Sequence, residues 1–149
     1  MNPQVLQKYA APLPRYTSYP TAAEFTDAVG PSVQSAALDA VPRDADISLY
    51  VHIPYCQEIC WYCGCNTGAA NRSGRIASYL DALEDEIHVV ARHLGGRGRV
   101  GRIAFGGGSP NAIAPLAFVR LLDRIVTELD AAGAEISIEL DPRSTTSSQ

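Results

Sequence analysis

The sequence has no cluster of basic residues and no long apolar run. Its 149 residues carry 12 Lys and Arg against 16 Asp and Glu, a net charge of −4 at pH 7. Without a basic block, a nucleic-acid or anionic-membrane surface has no electrostatic support. No stretch approaches the ~18 continuous apolar residues of a membrane span, and the polar segment 1–8 lacks the apolar core of a signal peptide. We therefore expect a cytoplasmic protein with a small-molecule partner, no nucleic acid and no membrane.

Cysteine is also absent from most of the chain, since all four cysteines lie between positions 56 and 65. A secreted disulfide framework spreads its cysteines along the sequence, because its bridges join distant segments. Thiols clustered in one loop, in a reducing compartment, are instead typical of metal ligands.

The order of predicted elements indicates an α/β fold. Six prolines in residues 1–45 predict an extended N-terminal arm with at most a short helix near Ser32–Ala40. Apolar patterning in residues 46–143 then predicts strands at Ile47–Ile53, Val100–Phe105 and Glu135–Leu140. Between the first two strands lies a helix that Ser73 can cap and that Gly95 and Gly96 stop, and between the last two a helix with Pro115 in its first turn and Gly133 just past its end. The order β-α-β-α-β calls for parallel strands. The polar tail 144–149 is predicted to be disordered.

Three segments that carry candidate site residues lie at the carboxyl ends of these strands. They are the cysteine loop after the first strand, the glycine run Gly106–Gly108 after the second, and Glu139 near the end of the third. Parallel α/β sheets assemble their sites at this edge, so the three segments should converge. His52, on the first strand, is interpreted as a hydrogen-bonded core histidine.

The spacing Cys56-x3-Cys60-x2-Cys63-x-Cys65 offers four thiolates within ten residues. So tight a loop can wrap a cuboidal iron–sulfur cluster. A structural zinc site or unligated thiols remain open alternatives, although zinc loops usually pair two separated Cys-x2-Cys knuckles. If only three cysteines bind, one iron keeps an open position, and Cys65 becomes either a fourth ligand or a separate catalytic or structural residue.

With Tyr62 before the third cysteine, this motif resembles the signature of the radical S-adenosylmethionine superfamily. Further segments resemble one branch of it, the oxygen-independent coproporphyrinogen III oxidases: residues 14–21 (PRYTSYPT), 50–54 (YVHIP), 63–66 (CGCN), 106–110 (GGGSP) and 135–139 (EISIE). The likeness runs from about residue 14 to Arg143. It implies the first three parallel strands and two helices of a radical SAM (β/α) barrel, preceded by the arm.

The resemblance also implies cofactors and site residues. Cys56, Cys60 and Cys63 would bind three irons of a [4Fe–4S] cluster, and S-adenosylmethionine would chelate the fourth. Tyr50, Gly106 and Glu139 match contacts of this first S-adenosylmethionine, while Gly107, Gly108 and, less clearly, Tyr62 match contacts of a second molecule. Cys65 is assigned a catalytic role. By residue type alone, Gly106–Gly108 could be a plain strand-to-helix turn, Glu139 a solvated carboxylate and Tyr62 an aromatic lid over the cluster.

The chemistry implied is the anaerobic oxidative decarboxylation of coproporphyrinogen III to protoporphyrinogen IX in haem biosynthesis. A reduced cluster cleaves S-adenosylmethionine, and the resulting 5′-deoxyadenosyl radical takes a hydrogen from a propionate side chain. The resemblance further implies an electron donor such as a flavodoxin or ferredoxin, and a monomeric full-length enzyme.

Two other functions stay open. One is a haem chaperone of the sister branch, which typically has an aromatic residue where Cys65 stands. The other is an inert or purely cluster-binding fragment, because the family barrel has about six βα units and this sequence supplies three strands. The chain is therefore expected to be a fragment that is inactive alone.

Overall fold

The computed structural model describes residues 3, 4, 7, 20–70 and 73–145. The chain divides into two compact units, Met1–Gln34 and Ser35–Gln149. In the first unit a 3₁₀ turn covers Ala22–Glu24. Helix α1, Pro31–Asp39, coincides with the short helix expected in the arm. Residues 1, 2, 5, 6 and 8–19 of the predicted arm, which include positions 14–19 of the PRYTSYPT segment, lie outside the described residues.

The second unit has the predicted α/β order. Its elements are β1 (Asp46–Ile53), β2 (Tyr55–Cys56), β3 (Gly68–Ala69), α2 (Ser73–Leu94), β4 (Arg99–Gly107), α3 (Pro115–Glu128) and β5 (Glu135–Ile138). Strands β1, β4 and β5 form one parallel sheet in that order, which confirms the predicted topology. The pair β2–β3 forms a second, two-stranded parallel sheet that the sequence did not predict.

Helices α2 and α3 cover one face of the sheet and bury their apolar stripes against it. The core includes Ile53 and Phe105 from the strands, and Ile87, Leu121 and Ile125 from the helices. Side chains alternate along a strand, so Val51 and Ile53 face this core while Tyr50 and His52 face the opposite side. The face away from the helices is therefore the one that presents polar side chains.

Helix ends follow the predicted signals with one exception. Gly95 and Gly96 take positive φ after α2, and Pro115 occupies the first turn of α3. After α3, however, the first residue with positive φ is Asp130, at 48°, three residues before Gly133. Gly133 instead belongs to the turn that leads into β5, which ends at Ile138 rather than Leu140.

The carboxyl-terminal segment is more ordered than predicted where it is described. Asn111 Nδ2 donates to Ser144 Oγ at 3.0 Å and to Thr145 Oγ1 at 3.1 Å, and the Ser144 amide donates to the Asp141 carbonyl. Residues 146–149 lie outside the described part of the chain, so the bounds assigned to arm, barrel part and tail stay predictions. No helix among the described residues combines the length and apolarity needed to cross a membrane.

Candidate functional site

The cysteine loop is closed at its base by the short pair β2–β3. Gly68 donates its amide to the Pro54 carbonyl at 2.7 Å, and Ala70 donates to the Cys56 carbonyl at 2.8 Å. The two ends of the twelve-residue segment between Cys56 and Ala69 therefore lie side by side, next to the end of β1. This closure holds the three thiols of the loop close to that of Cys56, which lies on β2.

The glycine turn is hydrogen-bonded directly to the entry of that loop. Gly108 donates its amide to the Ile53 carbonyl at 2.8 Å, and Ser109 donates to the Tyr55 carbonyl at 2.7 Å. A methyl group on Gly108 would lie 2.6 Å from the Tyr55 carbonyl oxygen, closer than atoms can approach. Glycine at position 108 is therefore needed for the contact between the two segments.

The third segment joins the same edge. Glu139 donates its amide to the Phe105 carbonyl at 2.9 Å, which continues the β4–β5 pairing by one residue. A methyl group on Gly106 would lie 2.8 Å from Glu139 Oε2 and 3.0 Å from Tyr50 Oη. The cysteine loop, the glycine run and Glu139 converge in the structure, as the strand order predicted.

The thiols differ in exposure and in electrostatics. Cys56 and Cys60 are partly buried, and Cys63 and Cys65 are exposed. Burial, together with the neighbouring thiols, raises the pKa of Cys56. The hydrogen bond with Thr67, at 3.5 Å from the Cys63 sulfur, lowers the pKa of Cys63. The negative charge of Cys63 in turn raises the pKa of Cys65. Cys63 is thus the thiol whose metal-binding thiolate form is favoured.

The donor set fits an iron–sulfur cluster by its chemistry. Soft thiolates are ligands of iron–sulfur clusters and of zinc alike. In a cluster each thiolate binds a different iron, whereas one zinc ion with bonds of about 2.3 Å needs its sulfur ligands within roughly 4 Å of each other. Within the described residues, no three His, Cys, Asp or Glu side chains are set to hold one metal ion.

A cleft of about 430 Å³ opens beside the loop. Its walls include Cys56, Cys60, Glu139 and Arg143. This volume lies within the range of about 300–1,000 Å³ typical of small-molecule sites. Tyr62 also borders the cleft, but its side chain is 89% exposed, so as described it does not pack as a lid.

Two residues near the site were not predicted to take part in it. His52 is not a core residue: Nδ1 lies 3.2 Å from Tyr50 Oη and Nε2 lies 3.3 Å from the Asn66 carbonyl oxygen. Its ring also occupies the space beside Gly107, whose φ is +113°. Arg143, beyond the third strand, reaches back to the cysteine loop. The Asp-Pro-Arg sequence at a strand end was the available signal for Arg143.

Comparison with known proteins finds relatives among the oxygen-independent coproporphyrinogen III oxidases. The chain is 44% identical over 135 residues to the oxygen-independent coproporphyrinogen III oxidase of Bradyrhizobium diazoefficiens, with 90% of this chain and 30% of that protein covered. The enzyme of the same name from Escherichia coli K12 is 43% identical over 142 residues, with 93% and 30% covered. No family model matches the chain.

A solved structure of such an oxidase matches the fold of this chain. The coproporphyrinogen III oxidase HemN of Escherichia coli, a radical SAM enzyme, superposes with a TM-score of 0.81 at 39% identity, covering 96% of this chain and 31% of that one. This chain is a homologue of the N-terminal part of these oxidases. The predicted resemblance and the partial radical SAM fold are thereby confirmed. The chain spans about 30% of the length of these relatives.

Proposed function

We propose that this chain supplies the cluster- and S-adenosylmethionine-binding part of an oxygen-independent coproporphyrinogen III oxidase. Cys56, Cys60 and Cys63 would hold a [4Fe–4S] cluster. When bound, the cluster and S-adenosylmethionine would supply the one-electron cleavage that starts radical chemistry on a propionate side chain of coproporphyrinogen III. The observation that carries this proposal is the convergence of the cysteine loop, Gly106 and Glu139 on one sheet edge, in a homologue of these enzymes.

The residues around Gly106 have the chemistry to bind a nucleoside and an amino acid. The Glu139 carboxylate accepts hydrogen bonds and suits a ribose hydroxyl. Burial, and then the charge of Glu139, raises the pKa of Tyr50, so its phenol stays protonated and can donate a hydrogen bond at neutral pH. Gly106 leaves the space between them free of a side chain.

A second S-adenosylmethionine beside Gly107, Gly108 and Tyr62 is a finer part of the same proposal, as is a catalytic role for Cys65. Cys65 is exposed, and the charge of Cys63, with a smaller contribution from Glu139, raises its pKa. A protonated thiol there can donate a hydrogen bond or a proton to a bound ligand without serving as an iron ligand. We further propose that the protein works in the cytoplasm, takes electrons from a flavodoxin or ferredoxin, and is monomeric when full length.

Anaerobic reconstitution of the purified chain with iron and sulfide tests the proposal. We expect a brown protein with a broad iron–sulfur absorption band and an EPR signal on reduction, which changes shape when S-adenosylmethionine is added. A chain that binds stoichiometric zinc and no iron under these conditions would refute the proposal.

A further inference from the structure

Arg143 joins two segments that are more than eighty residues apart in sequence. Its Nη2 lies 3.2 Å from the Glu58 carbonyl oxygen and 3.3 Å from Cys60 Sγ, so that one Nη2–H group is shared between these two acceptors. Its Nη1 lies 3.5 Å from Glu58 Oε2. The guanidinium therefore contacts the cysteine loop through a backbone group, a carboxylate and a thiol at once.

Asp141 fixes the guanidinium in this position. Arg143 Nη2 donates to Asp141 Oδ2 at 2.7 Å and Nε donates to Oδ1 at 3.0 Å, the two-pronged geometry that orients arginine most strictly. The backbone amide of Arg143 donates to Oδ1 as well, at 2.9 Å. These hydrogen bonds lower the pKa of Asp141, so the carboxylate stays charged and the pair is maintained near neutral pH.

Asp141 is in turn attached to the glycine turn. Its amide donates to Ser109 Oγ at 3.1 Å, and its carbonyl oxygen lies 3.4 Å from Asn111 Nδ2. Ser109 is 3% exposed and its hydroxyl donates to Asn111 Oδ1. A continuous set of hydrogen bonds thus runs from the buried glycine turn through Asp141 and Arg143 to Cys60.

We propose that Arg143 is a positioning residue that fixes the cysteine loop to the carboxyl end of β5 and donates a hydrogen bond to the Cys60 sulfur. This rests on the proposed function in so far as Cys60 is an iron ligand. A donor and a positive charge beside a ligating sulfur stabilise the reduced, more negative form of a cluster, and so raise its reduction potential.

The first test needs no cluster. Hydrogen–deuterium exchange of residues 57–66 is measured in the iron-free wild-type chain, in Arg143→Met and in the matched control Arg120→Met, which removes an exposed arginine of α3. We expect exchange in the loop to accelerate at least about threefold in Arg143→Met and to stay unchanged in the control. Exchange within α3 is the internal reference for an intact fold.

The second test measures the midpoint potential of the reconstituted cluster in the same variants and in Arg143→Lys. We expect Arg143→Met to shift the potential to more negative values, Arg143→Lys to restore part of the shift, and Arg120→Met to leave it at the wild-type value. A merely structural role for Arg143 would change cluster occupancy without changing the potential of the cluster that forms.

The two outcomes that contradict the inference are distinct from failure of the proposed function. Wild-type exchange of the loop in Arg143→Met, or a wild-type potential in that variant, overturns the inference. A wild-type chain that takes up no iron refutes the proposed function instead. The exchange measurement still decides in that case whether Arg143 fixes the loop.

Discussion

Tyr50 of β1 and Glu139, which directly follows β5, meet across Gly106 of the middle strand β4. A methyl group on that glycine would lie 3.0 Å from the tyrosine hydroxyl and 2.8 Å from a carboxylate oxygen of the glutamate. Two hydrogen-bonding side chains therefore approach the same stretch of bare backbone. Because residue 106 has no side chain, a polar ligand has room beside its backbone, between Tyr50 and Glu139.

Gly106→Ala and Gly108→Ala should affect different properties: the first should weaken ligand binding, and the second should destabilise the fold. The methyl at 106 meets the ends of two flexible side chains, which can move aside, so we expect a folded protein that binds S-adenosylmethionine at least about tenfold more weakly. The methyl at 108 meets the backbone of Tyr55, which cannot move, so we expect destabilisation of about 1–3 kcal/mol or more.

Thermal unfolding of the iron-free variants and ligand titration of the reconstituted ones separate these effects. If Gly106→Ala bound S-adenosylmethionine as the wild type does, the space between Tyr50 and Glu139 would not be the binding site.

Among the cysteines, we expect Cys60→Ser to lose the cluster and Cys65→Ser to keep it. The physical reason is that S-adenosylmethionine requires an iron without a protein thiolate, so only three cysteines can serve as ligands. Iron and sulfide content after anaerobic reconstitution measures the outcome, with Cys56→Ser and Cys63→Ser expected to behave like Cys60→Ser. Equal loss of iron in the Cys65 and Cys60 variants would show that all four thiols are ligands.

The larger elements of the fold could be predicted because their signals are local. The apolar spacing along α2, with Gly95 and Gly96 after it, defined that helix closely. The pair β2–β3 was missed because two residues per strand carry no periodicity. Gly133 was expected to end α3, but Asp130 tolerates the left-handed conformation and takes it first.

The site was predictable only where its residues belong to a recognisable motif. The strand order placed the cysteine loop, Gly106 and Glu139 at one edge without any knowledge of side-chain contacts. His52 was taken for a core residue because it lies on an apolar strand, yet its alternation with Val51 turns it to the polar face. The contacts of Arg143 depend on a turn at Asp141 and on a loop conformation, neither of which sequence spacing encodes.

Shortening a fully buried side chain of the core should strongly lower the free energy of unfolding. Ile125 of α3 is 0% exposed and packs in the cluster between sheet and helices. We expect Ile125→Ala to lower the free energy of unfolding by about 2–5 kcal/mol, through lost apolar contact and the cavity it leaves. Leu116→Ala on the same helix, 66% exposed, is the control and should change it by less than about 0.5 kcal/mol. Urea unfolding of the iron-free chain compares the two.

The contact between α2 and α3 should weaken in acid. Burial tends to raise the pKa of Glu128, but hydrogen bonds from His88 and Arg124 outweigh it and hold the pKa below its ordinary value of 4.5. A carboxyl whose pKa is lower in the folded state contributes stability above its unfolded pKa and loses it as pH falls through the folded pKa. We therefore expect the melting temperature to fall below about pH 4.5, and to fall less in Glu128→Gln.

Melting curves between pH 3 and pH 7 check this, in steps of about half a unit across the titration range of a carboxyl. Asp123→Asn, which removes an exposed carboxylate of the same helix, is the control and should follow the wild-type profile. The explanation fails if Glu128→Gln shows the same loss of stability in acid as the wild type.

The purified 149-residue chain should not turn over coproporphyrinogen III, even with cluster, reductant and S-adenosylmethionine supplied. Within the described residues β5 pairs with β4 on one side only, and Ile136, Ile138 and Leu140 are 43%, 40% and 48% exposed. An apolar edge of this kind promotes association, and a porphyrinogen would meet an unpaired strand there rather than a closed wall. We expect slow cleavage of S-adenosylmethionine without substrate to persist, because the proposed ligand contacts Tyr50 and Glu139 are both present.

Anaerobic assay distinguishes the two activities: 5′-deoxyadenosine is measured by chromatography, and porphyrin product by fluorescence after oxidation. We expect 5′-deoxyadenosine without porphyrin product. We also expect the chain to associate, and to associate less when Ile138 is replaced by Lys, since a charge on an edge strand opposes pairing. Many turnovers to protoporphyrin by the purified chain would show that three strands suffice to orient the substrate. That result would place the entire reaction on the edge formed by the cysteine loop, Gly106 and Glu139.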